Sequence, residues 1–274
     1  MTTTRMCAGY GLTVLVIASG TAERLSLDDR YHQGPVLSIF EIIVILLFTT
    51  AGALVQGGAG IGLALVAGPA LVFIDPAFVP GPLMLAAQAT NIRHVVVEGE
   101  HLDRGICTRA LYGVPVGLIA GLVVLSTVDE TTMAVIVGSA TAIAAIVLLA
   151  GIRVVRTPRI EIAAGVLTAF ATVTASLPGP PIIVALNDLE AKRLRPTCAA
   201  IILVVSIFGF IGLVATGNFG ADEVVLTMWL VPGIATGMLL ARWARPHMDG
   251  PGFRPTVLTI ALVGGIALVV RSLT

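Results

Sequence analysis

The chain has 274 residues, of which 57% are hydrophobic and only 12% charged, with a mean hydropathy of +1.00. Soluble domains carry roughly 25% charged residues, so a soluble globular fold is excluded. Net charge is zero and the basic residues fall in small clusters between apolar runs, which leaves no basic face of the kind nucleic acid requires.

In chain order, residues 1–36 come first. Arg5, the apolar run from Met6 to Ala18 and the small residues Gly20 and Ala22 allow two readings, a signal-like segment or a dispensable extension with a misassigned start. Apolar runs long enough for membrane spans, which need about 20 residues, then follow at about 37–55, 80–97, 105–127 and 131–151, with a shorter run at 61–74. The order repeats as 160–176, a short piece at 180–188, then 197–216, 224–242 and 255–273. The two short pieces predict half-spans or re-entrant segments. The expected fold is therefore an all-α polytopic membrane protein with about 8–10 transmembrane helices in two repeats, residues 37–151 and 160–274, joined by a basic linker at 152–159. An odd number of spans per repeat inverts the second relative to the first.

Charge sets the orientation. Arg104 and Arg109, then Arg153, Arg156 and Arg159, then Lys192, Arg193 and Arg195, then Arg242, Arg245 and Arg254 fall on one side, which the positive-inside rule makes cytoplasmic. Opposing loops carry Asp75, Asp129, Glu130, Asp222 and Glu223 and no Lys or Arg. Gly113, Gly117 and Gly121 in the first repeat, and Gly233 and Gly237 in the second, have the spacing that lets membrane helices approach closely.

Two helix-breaking segments interrupt the apolar runs, Gln56-Gly57-Gly58-Ala59-Gly60-Ile61-Gly62 and Pro178-Gly179-Pro180-Pro181. Broken helices survive at membrane depth only inside protein or beside a water-filled cavity, and when they recur in both halves they point to a transport site. Free amides at a helix start attract anions, which nominates Gly58, Gly60, Gly62 and Gly179 with Pro180 and Pro181. Gln88 and Asn91 share a helical face and can donate to an oxyanion or bond between helices; Thr174 can line the cavity or satisfy a freed carbonyl. Ser206 is a weaker position of the same kind. Arg93 is expected to snorkel, and Glu41, the one carboxylate placed inside a span, to lie at its interface. Cys7, Cys107 and Cys198 are far apart and form no CxxC or Cys/His spacing, so neither a disulfide framework nor a zinc site is indicated; Cys107 and Cys198 read as packing residues. His32, His94, His101 and His247 are scattered, and HExxH, GxSxG and Walker motifs are missing, so the expectation is a non-enzyme with no cofactor and no metal.

From about residue 36 to 273 the chain resembles the TauE/SafE family of sulfite-exporter-like permeases. The resemblance rests on Leu37-Ser38-Ile39 leading to the Gln56–Gly62 segment, on Ala89-Thr90-Asn91 followed by Gly99-Glu100-His101-Leu102-Asp103, and on Pro178-Gly179-Pro180-Pro181. It departs from the family at Ser176-Leu177, where extra glycines are more usual. The resemblance implies a secondary transporter of the plasma membrane that moves a small anion such as sulfite or a sulfonate. Its site would include Gly58, Gly60, Gly62, Asn91, Gly179, Pro180 and Pro181. The expected partners are the small anion and the lipid bilayer; direction, coupling ion and oligomeric state stay open. A passive anion channel and a non-transporting assembly protein are the alternatives.

Overall fold

The computed structural model describes residues 37–59, 62–152, 154–248 and 253–274. Among the described residues every regular element is helical: α1 (Ile39–Ala59), α2 (Leu63–Ile74), α3 (Gly81–Glu98), α4 (Arg104–Thr127), α5 (Glu130–Leu149), α6 (Pro158–Ala175), α7 (Gly179–Ala185), α8 (Ala191–Ala215), α9 (Ala221–Met248) and α10 (Phe253–Leu273), with two short 3-10 turns around α3. The fold is all-α, as expected. Residues 38–274 form one compact unit, while the extension at 1–36 lies outside the described residues.

Six helices, α1, α4, α5, α8, α9 and α10, are long and apolar enough to cross a membrane. The two interrupted crossings are shorter. The 12 residues of α2 and the 7 of α7 reach about 18 and 10 Å at 1.5 Å per residue, well short of a hydrocarbon core of about 30 Å.

Local chemistry places the helix starts. Ser38 and Glu41 form a capping box on α1, with the Ser38 amide and hydroxyl donating to Glu41 Oε2 at 2.7 and 2.8 Å. Glu41 is thus a cap, consistent with a place at the end of the span. Asp103, Asp129 and Thr157 cap α4, α5 and α6 through Ile106, Thr132 and Ile160.

Glycine decides which helices pair. On α4, Tyr112, Val116, Ile119 and Val123 are exposed on one side, and Gly113, Gly117 and Gly121 meet α6 on another. A Cβ on Gly113 would strike the Ile162 carbonyl, and one on Gly117 the Val166 carbonyl and Ala169. In α9 the same role falls to Gly233 against the Leu46 carbonyl and Thr49, and to Gly237 against the Thr50 carbonyl and Ala53. The partner positions correspond, although the glycines that meet them, Gly113 with Gly233 and Gly117 with Gly237, are offset by a further turn of helix. One sequence shift carries Leu46 to Ile162, Thr50 to Val166, Ala53 to Ala169, and also Gly62 to Pro178 at the two short-helix starts.

The dominant contacts, α4 with α6 and α1 with α9, therefore interchange under the internal repeat, while α5 meets α10 where Gly138 and Gly265 face each other's carbonyls. Each tight pair takes one helix from each half, so the two halves are interlaced. Cys107 and Cys198 are buried together in the cluster of α4, α6, α7 and α8, with Cys107 Sγ 3.8 Å from the Thr197 carbonyl. Their packing role stands.

These contacts give a paired test. Gly117→Ala should lower the thermal unfolding midpoint in detergent, with a loss of about 1–3 kcal/mol, because the intruding methyl meets backbone that cannot swing aside. Gly68→Ala, in α2 with nothing within 4 Å of its built Cβ, should leave the midpoint unchanged or raise it by up to about 0.5–1 kcal/mol.

Candidate functional site

At the first break α1 ends at Ala59 and α2 begins after Gly62; Gly58 lies in the last turn of α1, and Gly60 lies outside the described residues. Gly62 has φ 145° and ψ −25°, and a Cβ there would strike Val55, so the position requires glycine. The start of α2 is nonetheless occupied. Gln56 Oε1 accepts from the Leu63 amide at 3.1 Å, while Gln56 Nε2 donates to Thr90 Oγ1 at 2.6 Å.

The amide orientation follows from donor counting. Thr90 gives its single hydroxyl proton to the Ala87 carbonyl at 2.7 Å, so it must accept from Gln56, and the amide oxygen is left for Leu63. One uncharged side chain thus closes the break and ties it to α3. Gln56 was recognised in the sequence only as the edge of a glycine motif; the reach from α1 over the break to Thr90 is tertiary and has no local signature.

Gln88 and Asn91 lie beside this bracket but bond to each other. Asn91 Nδ2 donates to Gln88 Oε1 at 3.1 Å, and Gln88 Nε2 to the Met84 carbonyl at 2.5 Å. Asn91 is buried and Gln88 half-buried.

The second break is built differently. α6 closes with Ser176 N donating to the Thr172 carbonyl and Leu177 N to that of Ala171, an αL cap with Ser176 in the left-handed region at φ 53°. Ser176 Oγ, buried, donates to the Pro80 carbonyl at 2.5 Å, which pins the break to the start of α3. Thr172 and Thr174 turn back on their own helix, to the Thr168 and Phe170 carbonyls at 2.6 and 2.8 Å. α7 has no side-chain cap. Among Pro178, Gly179, Pro180 and Pro181 only Gly179 has an amide proton.

The two breaks are anchored at opposite parts of α3, Ser176 at Pro80 and Gln56 at Thr90. Ten residues of helix separate those anchors by about 15 Å. The structure accordingly gathers Gly58, Gly62, Gln88 and Asn91 around one level and Thr174, Gly179, Pro180 and Pro181 around the other. Thr168 Oγ1 and Ser206 Oγ, both buried in the second half, have no hydrogen-bond partner among the described residues.

Beside the first break, Gly57 of α1, Thr90, Arg93 and His94 of α3, and Ala241 and Arg242 of α9 line a small cleft with about 10 Å³ enclosed, roughly room for one water. Arg93 therefore lines protein surface where snorkelling was expected. His94 is buried, with Nδ1 3.5 Å from Glu98 Oε1.

Glu161 was missed by sequence reasoning. It is 2% exposed in the first turn of α6, bound by Arg109 and by Arg156 Nη1 at 3.5 Å, and Arg156 Nε reaches Asp188 at 2.9 Å. Its signal was a lone acid among the arginines around the 152–159 linker. Nearby, Arg193 Nη2 binds Asp103 Oδ2 at 2.6 Å. The Ile106 amide, followed by the Arg193 charge, holds the Asp103 carboxyl below its ordinary range. That link is complete at neutral pH and is lost as pH falls through the depressed pKa. Among the described residues no group of three or more His, Cys, Asp or Glu comes together as a metal site would need.

An all-α polytopic membrane protein is the class this architecture defines. Residues 44–268 match the family model described as "Sulfite exporter TauE/SafE", and the chain belongs to that family. No curated protein and no solved structure matches it.

Ser176 offers a local test. Ser176→Ala loses the bond to Pro80 and puts a methyl side chain in the left-handed region, so a loss of about 1–3 kcal/mol is expected in detergent unfolding. Ser176→Gly, which relieves the backbone while losing the same bond, should lie within about 1 kcal/mol of wild type.

Proposed function

We propose that the chain is a secondary transporter of the plasma membrane that moves a small anion, sulfite, a sulfonate or a related organosulfur oxyanion, by alternating access between inverted repeats. The observation that carries this reading is the Gln56 bracket. The amide oxygen lies on the first amide of α2, at the positive end of that helix, where a helix dipole favours negative charge. A neutral carbonyl is a weak occupant of such a position, and an oxyanion is a stronger one. Gln56 thus holds the start of α2 closed until substrate replaces it.

Gly58, Gly62, Gln88 and Asn91 form the walls at this level of the pathway; Gly60, proposed with them from the sequence, lies outside the described residues. Thr174, Gly179, Pro180 and Pro181 form those at the other level, with the unmet hydroxyls of Thr168 and Ser206 in the same half. An unsatisfied buried hydroxyl costs about 1–3 kcal/mol, so these two favour a polar ligand in the second half. Interlaced pairing makes the moving bodies mixed ones, α1 with α9 and α4 with α6, each locked by glycine contacts. The printed description of the family supports sulfite as the first substrate to try.

Uptake of labelled sulfite and ethanesulfonate into proteoliposomes tests the reading. Wild type should transport saturably and show counterflow. Gln56→Glu, which sets a carboxylate on the Leu63 amide at the cost of the bond to Thr90, should still fold, with a lowered midpoint, and lose at least about tenfold in uptake. Asn91→Ala and Gly179→Leu should each reduce the rate. Failure of any anion to move, or uptake by Gln56→Glu at the wild-type rate, would contradict the proposal.

A further inference from the structure

The cleft beside the first break has a composition that neither closure nor packing explains. Two guanidinium side chains, Arg93 from α3 and Arg242 from α9, line it, and none of its lining residues is a carboxylate. On the arginine-rich side Arg109 and Arg156 hold Glu161, Arg156 also holds Asp188, and Arg193 holds Asp103, and none of these lines the cleft. Arg93 and Arg242 have no acid within 4 Å among the described residues. The nearest acid on α3, Glu98, lies against His94. Two like charges from different helices on one small concavity repel each other, and a bound anion removes that repulsion.

We propose that Arg93 and Arg242 form an oxyanion-recruiting subsite on the arginine-rich face, which substrate occupies before it reaches the start of α2. This rests on the transporter reading above and adds a station to it. The chemical class is a small oxyanion with three or four oxygens around sulfur or a similar centre, because guanidinium forks bind such oxygens in pairs. The enclosed space of about 10 Å³ admits no more than a water-sized group, so the oxyanion lies at the mouth of the cleft, against the two guanidinium groups, and not inside it.

Thr90 connects the subsite to the gate. It lines the cleft, and its hydroxyl is also the group to which Gln56 Nε2 donates. An anion moving inward from the arginines therefore meets the Gln56 amide next, and the Leu63 amide behind it. Gly57 forms part of the same wall, where a Cβ would collide with Ala241, so α1 backbone lies directly against α9 there.

The test is sided transport. Labelled sulfite flux is measured in inverted and right-side-out vesicles from cells expressing wild type, R93Q, R242Q, the double variant R93Q/R242Q, and the charge-retaining R93K and R242K. From the arginine-rich face, KM should rise about tenfold in each glutamine variant with Vmax within about a factor of two, the pattern of lost uniform binding. From the opposite face KM should stay at its wild-type value, and the lysine variants should recover part of the loss. Equal changes from both faces, or no change from either, would overturn the subsite. Calorimetric binding of sulfite to detergent-purified protein separates the two proposals. If wild-type vesicles move neither sulfite nor ethanesulfonate while binding is present in wild type and lost in the double variant, the transporter reading fails and the subsite stands. If wild type transports and the double variant binds sulfite as wild type does, the subsite fails alone.

Discussion

A helix that stops inside a bilayer leaves amides and carbonyls with no water to turn to, and the rest of this structure is arranged around meeting that demand twice. At the first break a single glutamine does it, taking the Leu63 amide and passing its own protons to Thr90. At the second, an αL cap takes up the Ala171 and Thr172 carbonyls of α6 and three prolines remove donors that would otherwise need partners. Both solutions lean on α3, which explains why this helix carries the polar residues Gln88, Thr90, Asn91, Arg93 and His94 that a simple lipid-facing span would exclude. The halves share a plan but have different chemistry at equivalent places. A replaceable hydrogen bond sits at one break, and at the other a nearly donor-free turn.

Much of the fold was legible because its determinants are local. Span positions followed from apolar runs, and the breaks from glycine and proline, whose backbone effects do not depend on distant partners. The glycine series on α4 and α9 also foretold close packing, but not which helices would be packed against. That choice is made by surfaces that lie far apart in the sequence. The site was less legible for the same reason. Nothing within a few residues of Gln56 announces that it crosses the break to Thr90, and nothing near Ser176 announces Pro80. The anchors of the two breaks on α3, Pro80 and Thr90, were likewise not written near either break. Glu161 was passed over because a carboxylate beside a basic linker looks solvated until Arg109, far earlier in the chain, folds against it.

The arginine-rich face divides its cations between two tasks. Arg109, Arg156 and Arg193 bind carboxylates of other elements, stitching α4, the linker, α6 and the start of α8 together. Ion pairs at a membrane boundary keep part of their charge in contact with water, so they fasten elements without the full penalty of burial. Arg93 and Arg242 are left outside that set and border a concavity.

The interlacing of the halves also bears on how the protein is made. A chain inserted from its N-terminus places α1 in the bilayer well before α9 exists, so the groove that receives Gly233 and Gly237 faces lipid during most of synthesis. The Thr50 hydroxyl, which in the finished protein donates to the Gly233 carbonyl at 3.1 Å, has no such acceptor until then. α4 waits a shorter time for α6. Assembly is thus staggered: the α4–α6 pair is complete near mid-synthesis, and the α1–α9 pair closes almost last, drawing the first helix made onto one of the final ones. A ribosome stalled between them would leave a membrane intermediate with one of its three close-packed seams formed.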